Sequence, residues 1–125
     1  MPEGGDFVRV MSLHKSKGLT SQITIVAGCV EGLIPTVQAG VPPAVAKANL
    51  EEQRRLFYVA MTRCRQILVL SSVARMPADL AYKMGARIRG RHGICRTIAS
   101  RFLGELGHTA PASVRGTDWV ASDFA

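Results

Sequence analysis

The stretch Asn49 to Ser72, NLEEQRRLFYVAMTRCRQILVLSS, passes from a helical pattern to a strand pattern without a break. Leu56, Val59, Ala60 and Arg63 fall at i, i+3, i+4 and i+7, one face of a helix predicted over about 50–63. Asn49 is the expected N-cap, and Glu51 and Glu52 stand in the expected first turn, where the helix dipole favours carboxylates. Arg63 projects from the end of the apolar stripe. Directly after it, Ile67-Leu68-Val69-Leu70 is apolar at every position and bounded by two serines. Such a strand suits a parallel sheet covered on both faces.

Upstream, Ile23-Thr24-Ile25-Val26-Ala27 predicts a second strand of the same kind, and Phe7 to Leu13 alternates as a third. The polar turn His14-Lys15-Ser16-Lys17-Gly18 separates these two, and Gly28 to Pro43, rich in glycine and proline, reads as a loop. The order strand, turn, strand, helix, strand predicts an α/β unit with a parallel sheet. Downstream the pattern fades. Met76 to Gly93 reads as loop or short helix, broken by Pro77, Gly85, Gly90 and Gly93. Thr97 to Leu106 predicts a helix with Gly107 as its C-cap, and the tail from Ala110 to Ala125 is weakly patterned.

A chain of 125 residues, 47% hydrophobic and 20% charged, holds one domain with one core. Mean hydropathy is +0.14, from scattered short apolar runs. None approaches the roughly 18–20 uncharged apolar residues of a membrane helix. The acidic, glycine-rich start Met1-Pro2-Glu3-Gly4-Gly5-Asp6 is unlike a signal peptide. These features predict a cytoplasmic protein without a membrane partner.

Sixteen Lys+Arg against nine Asp+Glu give a net charge of +7, and the excess is uneven. Residues 63–125 carry ten basic and four acidic side chains; Lys83 to Arg101 holds six basic residues and no acidic one. A polyanion, most simply nucleic acid, is the physical partner for such a stretch, and Arg87, Arg89, Arg91 and Arg96 are its candidate phosphate contacts. The competing reading is a solvated basic loop. Cys29, Cys64 and Cys95 are odd in number and more than thirty residues apart, which fits reduced thiols. His92 and Cys95 form a lone H-x-x-C without a second ligand pair, so no metal site is expected.

The pair Gly-Lys is absent, so there is no Walker A phosphate cradle; no G-x-G-x-x-G follows a strand and no G-x-S-x-G elbow occurs. Two segments carry chemistry instead. In Val10 to Leu19 a strand runs into a turn with two lysines, two small hydroxyls and a glycine, able to offer N–H and ammonium groups to phosphate at the carboxyl end of a strand. In Glu51 to Arg63 a guanidinium ends a helix just before a buried strand, a good pedestal for reaching a phosphate in a fixed direction. Each has an ordinary counterpart: a lysine-bearing turn, and an amphipathic helix with surface salt bridges of little worth.

Together these segments resemble the C-terminal part of the UvrD/Rep/PcrA-like superfamily 1 DNA helicases. VMSLHKSKGLTSQITIVAG (Val10 to Gly28) is similar to that family's motif V, and VEGLIP (Val30 to Pro35) follows as in the family. EEQRRLFYVAMTRC (Glu51 to Cys64) resembles motif VI, and SRFLGEL (Ser100 to Leu106) is a weaker echo of a segment that closes the second motor domain. The resemblance implies a partial RecA-like (P-loop NTPase-type) motor domain, C-terminal portion only, with a mainly parallel sheet. It implies that Arg63 is an arginine finger on the ATP γ-phosphate. It places Gly18 and Thr20 near the nucleotide, and Ser12, His14 and Lys17 near single-stranded DNA. Where the family usually has a ribose-binding glutamate, this chain has Thr20, which leaves that contact in doubt; Cys64 replaces the common alanine.

The family's phosphate loop, Mg²⁺ ligands and second arginine finger all lie upstream of motif V and are not found in this sequence. The expected organisation is a disordered 1–6, a motor portion over 7–107 and a tail over 108–125. The cofactors implied for the complete enzyme are ATP and Mg²⁺, the latter held by ligands outside this chain. The partners implied are single-stranded or partly duplex DNA and the missing N-terminal motor domain. A second reading stays open: a non-catalytic nucleic-acid-binding remnant that keeps the basic surface without the motor.

Overall fold

In the computed structural model, which describes residues 8–16 and 18–123, the central helix α1 runs Pro43–Met61. It starts well before the expected Asn49 cap. Pro43 stands at N1, where its fixed φ suits the helix and its missing N–H would have no partner anyway, and Ala44, Ala46 and Ala48 are the strongest helix formers. Asn49, Glu51 and Glu52 are therefore interior residues. The helix stops at Met61 with Thr62 as its C-cap, so Arg63 follows the helix instead of ending it.

The two apolar runs form strands β1 (Ser21–Val26) and β2 (Cys64–Leu70), paired in parallel with Ile23 opposite Ile67 and Val26 opposite Leu70. The expected covering of both faces is not met: Ile25 is 60% exposed. One face of this two-stranded sheet packs on the core, and the other lies open to solvent. The expected strand at 7–13 is also absent over its described part. Residues 8–12 are irregular, Val8 and Val10 are exposed, and His14–Ser16 forms a single 3₁₀ turn. Alternation marks a strand only where a neighbouring strand can pair with it, and none does here. The expectation for 1–6 lies outside the described residues.

The second half differs most from expectation. Strands β3 (Arg75–Pro77), β4 (Ile88–Arg89) and β5 (Ile94–Thr97) form a separate antiparallel sheet in the order β3-β5-β4, with helix α2 (Ala78–Met84) between β3 and β4. Among the described residues three of the five strands are thus antiparallel, which corrects the expected mainly parallel sheet. Strands of two to four residues are too short to show a period of two, and the prolines and glycines between them read as loop. The expected helix at 97–106 shortens to α3 (Arg101–Glu105), because β5 claims Thr97 and the Ser100 side chain caps the helix by accepting from the Phe102 N–H. Leu106 is its C-cap, and Gly107 follows in the left-handed region at φ +80°. The weakly patterned tail carries a further helix, α4 (Gly116–Asp123).

One core gathers Val26, Cys29, Phe57, Ala60 and Phe102, with Leu13 and Leu50 packed against it. Phe57 and Phe102 meet at 5.3 Å between ring centroids, joining α1 to α3. Arg54 reinforces the junction, bonding Glu105 at 2.6 Å and lying over the Phe102 ring. The Cys29 thiol is buried here and its pKa is pushed up to about 11 by desolvation, against a lowering bond with the Ser71 backbone. A second cluster, Val30, Met76, Ala81 and Ala86, holds the antiparallel sheet to α2.

Between the clusters, the buried Glu31 takes a forked ion pair from Arg101, with Nη2 at 2.9 Å, and accepts the Arg101 backbone N–H at 2.6 Å. Burial raises the Glu31 pKa, but the hydrogen bonds and charge of Arg101, aided by Arg87, outweigh it and hold the carboxyl below its ordinary 4.5. A depressed carboxylate pKa stabilises the fold fully above the unfolded value and loses that contribution as pH falls through the folded value. Glu31→Gln is accordingly expected to lower unfolding free energy by about 1–3 kcal/mol at pH 7. It should also flatten the acid limb below about pH 4.5. Urea melts of both proteins from pH 3 to pH 7 measure this; a constant difference across that range would refute it.

Candidate functional site

The pairing of β1 with β2 joins two distant parts of the sequence. The Ser21 N–H donates to the Arg63 carbonyl oxygen at 2.9 Å, and Ser21 stands in register with Cys64. The turn before β1 and the residues before β2 therefore lie side by side at the amino ends of the two strands. Sequence reasoning put the turn at a carboxyl end; the missing first strand is why that placement fails.

The turn is anchored and capped from within. Leu13 packs on the core, while the Lys15 and Ser16 N–H groups donate to the Ser12 carbonyl at 3.1 and 3.2 Å. The Ser12 hydroxyl oxygen also accepts from the Lys15 N–H at 3.3 Å. His14 is exposed on the 3₁₀ turn. Gly18 lies at φ +83°, where only glycine is unstrained, and a Cβ there would meet open space. Lys17 lies outside the described residues. Thr20 is exposed, and its hydroxyl accepts from Arg65 Nη2 at 3.3 Å. The sequence assigns Arg65 no role; it reaches Thr20 across the β1–β2 pairing, whose register shifts just after Ser21.

Arg63 is half-buried. Its Nε donates to the Val59 carbonyl at 3.3 Å and its Nη2 to the Thr62 hydroxyl at 3.2 Å, so the end of α1 orients the guanidinium. Among the described residues no carboxylate pairs with it, and Nη1 has no partner. A fixed fork with a spare donor edge is what a phosphate oxygen pair would engage. Arg54 and Arg55 differ in this respect, being paired with Glu105 and Glu52.

The glycine turn and the half-buried Arg63 thus lie side by side at the amino ends of the parallel strand pair. The description "UvrD-like helicase C-terminal domain" fits residues 3–75. The chain belongs to that family. It is 34% identical over 110 residues to DNA helicase II of Escherichia coli, covering 88% of this chain and 13% of that protein. It is 45% identical over 73 residues to the putative ATP-dependent DNA helicase YjcD of Bacillus subtilis, and 36% identical over 69 residues to PcrA of the same organism. Those matches cover 54% and 55% of this chain, and 9% of each relative. This UvrD-like chain thus spans about a tenth of the length of the relatives it matches.

The basic stretch of this UvrD-like chain divides. Arg89 and Arg96 stand directly opposite each other on β4 and β5. Arg87 instead serves the core: its N–H donates to the Glu31 carbonyl at 2.9 Å, and its charge acts on the Glu31 carboxylate. Arg91 sits in the β4–β5 turn, where with Asp79, Tyr82, Lys83 and His92 it lines a shallow depression beside α2. Cys95 donates its thiol to the His92 carbonyl at 3.3 Å, so the H-x-x-C spacing closes a turn. Among the described residues no group of three or more His, Cys, Asp or Glu could hold a metal ion, and no helix is long and apolar enough to cross a membrane.

Proposed function

We propose that this chain is the C-terminal portion of the second RecA-like motor domain of an ATP-dependent DNA helicase, supplying the arginine finger to ATP hydrolysis. The observation that carries the reading is Arg63, oriented by the carbonyl of Val59 and the hydroxyl of Thr62 yet paired with no carboxylate among the described residues. In a closed motor its free edge would donate to γ-phosphate oxygens and stabilise the charge that develops there as the phosphoryl group transfers. The adjacent turn would contact single-stranded DNA through Ser12, His14 and Lys17, with Gly18 near the nucleotide, and so couple its grip on DNA to the nucleotide. Thr20 would meet the ribose with a hydroxyl already engaged by Arg65, a weaker contact than a carboxylate. The open face of the β1–β2 sheet, with Ile25 exposed, is the edge against which the rest of the motor would close.

ATP and Mg²⁺ bind, on this reading, in a cleft whose other wall, with the phosphate loop and the Mg²⁺ ligands, belongs to an N-terminal motor domain. The 125-residue chain alone is therefore expected to turn over no ATP, with or without single-stranded DNA. Phosphate release from highly purified chain is the measurement. DNA-stimulated turnover that follows the chain through purification would overturn the division of the site into two walls.

A further inference from the structure

The antiparallel sheet sets three arginines in one row. Arg75 on β3 is directly opposite Arg96 on β5, and Arg96 is directly opposite Arg89 on β4. Residues directly opposite in a ladder point to the same face, so the three guanidinium stems rise together. The alternation of burial agrees. Met76 and Cys95, the neighbours of Arg75 and Arg96, are buried on the inner face, while all three arginines are exposed. None of the three has a carboxylate partner among the described residues.

Like charges directly opposite destabilise a sheet. Three arginines elsewhere are paired: Arg54 with Glu105, Arg55 with Glu52 and Arg101 with Glu31. Among the described residues the row has no such pairing, and its facing like charges lower stability unless a polyanion lies across them. Two strand spacings of about 4.8 Å make the row about 10 Å long. A nucleic-acid strand carries one charge per roughly 3.4 Å of axis, so about three phosphates span that length. An arginine fork matches phosphate oxygens in pairs, and no aromatic side chain stands in the row to anchor a protein partner or stack a base.

We propose that Arg75, Arg96 and Arg89 form a phosphate ladder that holds the backbone of a single nucleic-acid strand laid across β3, β5 and β4, without reading its sequence. The inference rests on the DNA-motor reading for its ligand class, but it assigns the contact to a different sheet from Arg63. It adds Arg75, which lies outside the basic stretch, and leaves Arg87 and Arg91 out.

The test titrates labelled oligo(dT) against the 125-residue chain at several salt concentrations. The triple variant Arg75→Gln, Arg89→Gln, Arg96→Gln is compared with Lys83→Gln, Arg87→Gln, Arg91→Gln, which removes the same charge. The ladder variant is expected to flatten the slope of log K against log salt by about 2, at roughly 0.7 per phosphate contact. The control variant should change it by less than half as much. Arg96→Gln alone should flatten it by about 0.7 with a melting temperature at or above that of the unmodified chain, since two like-charge contacts are relieved. Equal slopes for the two triple variants would overturn the ladder, as would a large drop in melting temperature for Arg96→Gln. Polyglutamate competing as well as oligo(dT) at equal charge would overturn the nucleic-acid assignment. All these outcomes leave ATP hydrolysis by the complete enzyme untouched, so the motor reading stands or falls separately on Arg63.

Discussion

On the proposed motor reading, Arg63→Ala in the longer enzyme is expected to lower kcat for ATP hydrolysis by about 10³–10⁵-fold, the usual effect of losing an arginine finger. DNA affinity should stay within a few-fold. The separation follows from where the side chain is held. Its Nε and Nη2 are occupied by the end of α1, at Val59 and Thr62, which fixes the plane of the guanidinium and leaves one edge to act. Arg63→Lys keeps the charge but has neither the planar fork nor the two orienting bonds, so it should fail nearly as badly. The variant should also leave stability almost unchanged, because the Arg63 backbone bond to Ser21 does not involve the side chain. Single-turnover hydrolysis with saturating DNA, alongside a DNA titration without nucleotide, reads both quantities. Near-normal hydrolysis by Arg63→Ala would reduce the residue to a cation at a helix end.

The parts of this site that could be read from the sequence are those built by long, uninterrupted patterns. The apolar runs at 23–27 and 67–70 specify two strands because nothing polar interrupts them, and their parallel pairing is observed. Given that pairing, the adjacency of the glycine turn and Arg63 follows. The start of α1 was misplaced because Asn49 is a good cap residue, whereas Pro43 followed by alternating alanines initiates the helix earlier. The antiparallel sheet was invisible for another reason. Each of its strands is at most four residues long, and they are held by Met76 and Ile88 packing with Val30, Ala81 and Ala86, contacts between distant parts of the chain. Counting charge located an arginine-rich segment correctly. It could not show that the Arg87 backbone bonds Glu31 while Arg75, well before the segment, joins Arg89 and Arg96.

Gly32→Ala is expected to remove a large part of the stability of the fold. Gly32 sits in the VEGLIP turn at φ +93°, a conformation that strains any side chain by about 1–3 kcal/mol. Space is the larger difficulty. A Cβ on Gly32 would fall on the Gly85 carbonyl oxygen, with the Arg87 amide nitrogen at 2.9 Å and the Ala86 Cα at 3.0 Å. All three are backbone atoms at the end of α2, and they cannot rotate away as a side chain could. The same contact carries the Arg87 N–H bond to the Glu31 carbonyl, so displacing it disturbs the turn that presents Glu31 to Arg101. Strain and overlap together should exceed about 4 kcal/mol, against a total stability of roughly 5–15 kcal/mol for a domain. Gly18→Ala provides the control: its φ is +83° but nothing lies within 4 Å of the added methyl, so only the strain should remain. Urea denaturation followed by far-ultraviolet circular dichroism compares the two. Gly32→Ala should unfold at a far lower urea midpoint than the unmodified chain, and Gly18→Ala at a modestly lower one. Equal midpoints would mean that the end of α2 yields to the methyl group, and that the close approach of the two turns contributes nothing to holding the antiparallel sheet in place.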